Sequence, residues 1–207
     1  MFAIGHISLG YITGKALGKL TRQNPSIPLL WTLSLLPDID LLIPSIRHRG
    51  STHSLIFALL ILAPFISDRP KKTLPYFAAL LIHSTIGDFI TSGGVMLLWP
   101  LSSDMMSYRS PLKMGSAAET YVELTLFAAL ILVLIASGDL KNLIKTENRN
   151  LILSVPLCTM VLPIYFEYPV KIPSSLLIPH FILIGMIALL IAKSFIQILA
   201  RTIKSKI

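Results

Sequence analysis

Residues 36 to 54 read LPDIDLLIPSIRHRGSTHS. Apolar sequence flanks this stretch on both sides, yet it carries two acids (Asp38, Asp40), two histidines (His48, His53), two arginines (Arg47, Arg49) and, in its closing STHS, three hydroxyls (Ser51, Thr52, Ser54). Ionisable groups between hydrophobic segments are costly, and they mark places where an ion, a proton or a substrate is held. Carboxylate and neutral imidazole are the usual oxygen and nitrogen ligands of zinc, and carboxylates also suit manganese and magnesium. The stretch reads as half of a metal site set into a helical fold. In an unbroken helix Asp38 and Asp40 would point about 200° apart. Pro37 interrupts the helix, and extended backbone beyond it would return both acids to one side. The plainer alternative makes Asp38 or Ser51 a helix cap and the histidines ordinary loop residues.

Working outward, composition bounds the class. Of 207 residues, 54% are hydrophobic and 14% charged, and the mean hydropathy is +0.75. That leaves too little polar surface for a soluble globule of this length. The expectation is an all-α, polytopic helical membrane protein with about seven membrane segments, at 1–21, 25–42, 51–67, 74–92, 120–137, 151–168 and 176–199. The second and third lie near the lower limit of about 17 residues for a span and could instead form a re-entrant hairpin. The chain reads as one integral membrane domain over 1–207, with a motif-bearing part (1–119) and an apolar helical part (120–207). Gly10, Gly14 and Gly18 form a small-residue ridge that invites close helix packing. Cys158 is the single cysteine, so no internal disulfide exists, and its apolar surroundings suggest a buried small hydrophobe. The net charge of +8 does not point to nucleic acid, because the basic residues fall in small groups with no interleaved stacking aromatics.

Those groups serve better as topology signals. Thirteen of the 18 basic residues fall on one side of a seven-span arrangement, in groups around Lys15 to Arg22, Arg69 to Lys72, Lys141 to Arg149 and Lys193 to Lys206. By the positive-inside rule that side is cytoplasmic, with the N-terminus outside. The polar residues then gather toward the extracytoplasmic face of the cell membrane: His6, Asp38 and Asp40, His48 to Ser54, Asp88, and the pair Glu119 and Glu123 on one helix face. His83 and Asp88 are five apart, which separates them by about 140° in a regular helix. Either a one-residue bulge eased by Gly87 restores their convergence, or one of them is not a ligand. Trp99 suits a membrane surface, Arg109 and Lys113 could meet an anionic headgroup, and His180 reads as a packing histidine.

Taken together, LLPDID, HRGSTHS, the later His83 and Asp88, and LLWP at 97–100 resemble the family of inner-membrane, membrane-bound metal-dependent hydrolases. The resemblance covers roughly residues 5–119, including a Gly-His at His6 and an acid at Glu119. Its pattern has H-x-x-x-D where this chain has one residue more. The resemblance implies a helical membrane protein with a metal site. The order of histidines and aspartates is also similar to that of the zinc-dependent phospholipase C and single-strand nuclease superfamily, which tilts the expectation toward phosphoester chemistry.

The expected function is a membrane-embedded metal-dependent hydrolase acting on a phosphoester or lipid headgroup. The candidate ligands are His6, Asp38, Asp40, His48, His53, His83 and Asp88, holding zinc, or else manganese or magnesium. Arg49 and Arg47 would bind anionic oxygens and stabilise developing charge, and Asp40 is also a candidate catalytic carboxylate. The expected partners are membrane lipids and a lipid or lipid-linked phosphate substrate, not nucleic acid. The alternatives are a proton- or ion-coupled transporter and a non-catalytic metal-binding membrane protein.

Overall fold

Proline and glycine punctuate the first half of the chain and cut its apolar sequence into short helices. The computed structural model describes residues 1–91, 93–108, 112–144, 148–167 and 171–204. Among them α1 (Ala3–Leu20) and α2 (Ile27–Leu35) are followed by a 3-10 helix (Pro37–Leu42) and a second short one (Ser51–His53). Helices α3 (Leu55–Asp68) and α4 (Pro70–Ile82) come next, and α4 runs straight into a π turn (His83–Asp88). After a long connection come α5 (Ala117–Ala136), α6 (Asp139–Ile144), a 3-10 helix (Asn148–Leu153), α7 (Ser154–Phe166) and α8 (Ser174–Lys204).

Helix α1 is the centre of the bundle, and its glycines explain how. A Cβ on Gly10 would fall on Ser34 of α2, one on Gly14 on Leu30, and one on Gly18 on Pro25, so side chains of α2 and of the turn before it rest directly on the α1 backbone along this ridge. The same Gly10 and Gly14 positions also approach the Ala79 and Pro75 carbonyls of α4. The main core joins Ile4, Ile7 and Tyr11 of α1 to Leu30 and Trp31 of α2, Leu130 and Leu134 of α5, Met160 of α7, and Leu183 and Ile187 of α8. A smaller core of Leu33, Ala58, Leu62 and Leu80 fixes α3 and α4 against α2. Helices α1 and α5 run parallel, since Gly5 bonds to Glu123 and Tyr11 to Asp139.

The expectation of about seven membrane segments does not hold. Among the described residues, two helices are long and apolar enough to cross a bilayer: α5, of 20 residues, and α8, of 31. At about 1.5 Å per residue against a hydrocarbon core of about 30 Å, the 9 residues of α2, 14 of α3, 13 of α4 and 13 of α7 are too short. Pro37 ends the second expected segment early, and Pro70 opens α4 directly after α3. Helix α1 reaches 18 residues, but its glycines, hydroxyls and lysines dilute the apolar content. A polytopic architecture is therefore not supported, and the orientation deduced from seven alternating spans loses its basis. Within α5 and α8 only 22% and 33% of the apolar window is buried, so these two helices turn most of their apolar surface outward. Cys158, expected to be buried, is exposed on α7. Arg109, and Lys145 and Lys206 of the basic groups, lie outside the described residues.

Candidate metal centre

Each ligand candidate is placed by a break in a helix. Pro37 turns α2 into a 3-10 helix, not into the extended backbone that would have put both acids on one side. At about three residues per turn, positions two apart diverge. Asp38 accordingly faces His53 and His83, while Asp40 faces His48 and His53. The change of helix type also leaves the Ser34 carbonyl without an intrahelical donor, and His83 Nδ1 lies 2.6 Å from it. The π turn then settles the five-residue spacing. By adding one residue to the helical turn it brings His83 Nε2 within 3.3 Å of Asp88 Oδ2.

Four donor atoms converge in the interior: Asp38 Oδ1, His53 Nε2, His83 Nε2 and Asp88 Oδ2. The two imidazole nitrogens are 3.2 Å apart. Asp88 Oδ2 is 3.2 Å from His53 Nε2, and Asp38 Oδ1 is 3.5 Å from each imidazole nitrogen. All four residues are buried. His83 Nδ1 faces a carbonyl, so it must carry the proton, and Nε2 presents a lone pair. His53 Nδ1 faces Asp40 Oδ2 at 3.3 Å, which likewise bares its Nε2. Two lone pairs at 3.2 Å beside two carboxylate oxygens repel one another unless positive charge lies among them. Asp88 Oδ2 faces no polar donor other than these two imidazoles, which leaves it open to a cation. The scale also fits, because a tetrahedron with edges near these separations has its corners about 2.0–2.1 Å from its centre, the zinc–nitrogen and zinc–oxygen bond length. This buried group of histidines and aspartates could hold a metal ion.

The surrounding groups orient the ligands. Asp40 sits behind His53, the carboxylate–histidine arrangement that fixes a ligand's ring and tautomer. It accepts from the Thr52 hydroxyl at 3.1 Å and the Arg49 N–H at 3.0 Å, and it faces His48 Nδ1 at 3.0 Å. With His48 and His53 it makes a second, less buried group of metal-ligand type. Arg49 adopts a positive φ of 62°, costly for a side-chain-bearing residue. Asp40 holds its N–H and the Met96 N–H holds its carbonyl at 3.0 Å. Its guanidinium is buried and lies 2.8 Å from Asp88 Oδ1. Arg49, expected to face an anionic substrate, is thus committed to a ligand carboxylate. Arg47 is exposed.

His6 stacks on His83 with ring centroids 3.5 Å apart, and its Nε2 is 3.5 Å from Asp88 Oδ1. Its Nδ1 is buried without a partner. Gly87 makes this stack possible, since a Cβ there would sit 2.7 Å from the His6 ring. The α-ammonium of Met1 lies 3.5 Å from Asp88 and 3.4 Å from Glu119.

Electrostatics in the ion-free protein point the same way. Burial pushes the Asp38 and Asp88 carboxyls up, but His83 and His53 around the first, and Arg49 and the Met1 ammonium around the second, outweigh it. Both end well below the usual carboxylate range. Burial pushes the His53 and His83 imidazoles down, and the facing aspartates reverse this and raise both. The pocket therefore draws positive charge. His6 behaves differently, lowered to about 3 by burial and by the neighbouring His83, so it stays neutral.

Two supports were not legible in advance. Glu123 accepts the Phe2 and Gly5 N–H groups at 2.6 and 2.7 Å, capping α1 from α5. Met96 and the first residue of the LLWP motif brace the Arg49 loop, with the Leu97 carbonyl accepting the Leu55 N–H at 2.9 Å. His180 is buried in α8, its Nδ1 2.8 Å from the Leu176 carbonyl, and lies outside the cluster.

The chain matches the profile of the YdjM inner membrane protein family over residues 1–170. It belongs to that family, and the match reaches well past the 5–119 covered by the sequence resemblance. It identifies an inner membrane protein, in keeping with the outward apolar faces of α5 and α8. No curated protein and no solved structure matches the chain.

Proposed function

We propose that this member of the YdjM inner membrane protein family is a metal-dependent hydrolase that acts on a phosphoester or lipid headgroup at the membrane surface. The observation that carries the reading is the convergence of two bare imidazole nitrogens and two carboxylate oxygens in a buried pocket at 3.2–3.5 Å. Asp38, His53, His83 and Asp88 would hold the ion. The 3.2–3.5 Å separations favour zinc over magnesium, whose octahedral ligands at about 2.0–2.1 Å would crowd to about 3 Å. When bound, such an ion supplies Lewis acidity, the means by which water becomes nucleophilic near neutral pH.

The chain's own residues divide the remaining work. Asp40 keeps the proton on His53 Nδ1 and so aims Nε2 inward. Arg49 balances Asp88, which stops two like charges from forcing a proton onto the ligand set. His6, held at about 3 by burial and by His83, is too weak a base to take a proton near neutral pH; stacked on His83, it would keep that ring in position. Arg47, exposed on the loop that carries His48 and Arg49, would receive an anionic substrate group.

A second reading has an observation of its own. Four protein ligands close a tetrahedral shell, as in structural zinc sites, whereas catalytic sites keep a position open. Elemental mass spectrometry of the purified protein, beside Asp38→Ala, His53→Ala and Asp88→Ala, tests the metal directly. Phosphodiester and phospholipid hydrolysis with zinc restored tests the chemistry. Hydrolysis by the wild type and its loss in a folded His53→Ala variant support the enzyme. Stoichiometric metal without hydrolysis, together with unfolding of His53→Ala, would leave a structural ion, and no metal after reconstitution would end both readings.

A further inference from the structure

Helices α1 and α5 diverge in role along their length. The metal cluster lies at their N-terminal ends, and at the other end a cavity of about 320 Å³ opens beneath the α1–α2 turn. Its volume is at the lower end of small-molecule sites, roughly 300–1,000 Å³. Asn24, Ser26, Tyr76, Asp139, Asn142 and Asn150 supply its polar lining.

Three properties of that lining define what would fit. The charge is already balanced, because Lys15 Nζ lies 2.6 Å from Asp139 Oδ2, which also accepts the Tyr11 hydroxyl at 2.7 Å. An ionic ligand would therefore enter uncompensated. Donors and acceptors are mixed. The Tyr76 hydroxyl accepts the Ser26 N–H at 2.8 Å and retains its own proton to give, while Asp139 and the Ser26 hydroxyl can accept. Finally, Asn150 is 2% exposed, and its Nδ2 has no partner among the described residues. Proteins seldom bury an amide donor in that state unless something outside the chain meets it.

We propose that this cavity binds a neutral polyhydroxyl group. A hydroxyl both donates and accepts, so one such group after another can satisfy the Asn150 amide, the Tyr76 hydroxyl and the Asp139 carboxylate without adding charge. The cavity's lining includes Asp139, which follows closely on the end of α5, one of the two helices long and apolar enough to cross a bilayer among the described residues. The same chemistry can therefore arrive as a free polyol or sugar, or as the sugar or polyol headgroup of a lipid.

Saturation-transfer NMR with myo-inositol and glucose as probes, on purified protein in nanodiscs, tests the free source, and mass spectrometry of lipids that copurify with the protein tests the other. The informative variant is Asn150→Leu, with Tyr76→Phe beside it. Binding by either source should fall about tenfold in Asn150→Leu, while its Tm holds or rises because an unpaired buried amide has been removed. Metal content should stay at the wild-type value. No signal from either probe and no copurifying polyol lipid would overturn the proposal. So would undiminished binding in Asn150→Leu, or a fall in its Tm, which would place the amide in the fold and not in a site.

Discussion

The chain spends its apolar residues in two ways. Up to Asp88 the helices are short and broken, and they wrap hydrophobic side chains around ionisable groups, leaving Asp38, His53, His83 and Asp88 inside. Helices α5 and α8 are long and apolar and turn outward, with Leu132 and Leu189 each 67% exposed. Apolar residues thus serve opposite ends. In the first region they lower the dielectric around charges and strengthen their mutual grip, and in the second they form an outward-facing apolar surface.

The sharpest way to break this contrast is at Asp88. Asp88→Ala should abolish metal binding and leave Arg49 buried beside an empty volume, at a cost of about 3–5 kcal/mol. Asp88→Asn, which keeps the shape, should lose the metal at a smaller cost. Melting curves read beside metal content separate the two losses.

A subtler test uses pH. In chelated protein His53 and His83 have folded pKa values raised above the ordinary 6.5. Their contribution is complete below 6.5 and is lost as pH climbs through the raised values. His6, lowered to about 3, opposes this only below 6.5, where its unfolded ring gains a proton that the folded one refuses. Between pH 6.5 and 8 the Tm of chelated protein should fall. With zinc restored it should rise over the same range, because the ion requires unprotonated imidazoles. Parallel slopes in the two samples would show that these rings bind no ion.

The π turn offers a smaller effect. Deleting Ile86, which is 44% exposed, should convert it to regular helix with a four-residue spacing and retain the metal, whereas adding one alanine after Ile86 should abolish it. The smallest effect belongs to the outer region. Leu189→Ser should change stability in detergent by no more than about 0.5 kcal/mol and leave the metal untouched, as two-phase melting and elemental analysis would show.

Much of the cluster was legible because ionisable residues stand out against apolar sequence. The identities of Asp38, His53 and Asp88 announced a site, and the spacing of His83 and Asp88 posed the question that the π turn answers. The partition of Asp38 and Asp40 was hidden, since it depends on Pro37 producing 3-10 backbone and not extended chain. The engagement of Arg49 with Asp88 was hidden too, for its side chain is placed by a left-handed backbone held from residues 40 and 96. Fold class divided in the same way. Helical character follows from composition, but the number of crossings depends on where helices stop, and the hydropathy of a segment does not record that Pro37 or Pro70 has cut it short.

The π turn also bears on how relatives of this chain are to be sought. A helix that absorbs one extra residue without turning its two ligands apart makes their separation in sequence a poor signature, while their meeting point in space is unchanged. A search string that counts letters between histidine and aspartate would discard such sites, whereas one that tolerates a single inserted residue beside a glycine would keep them.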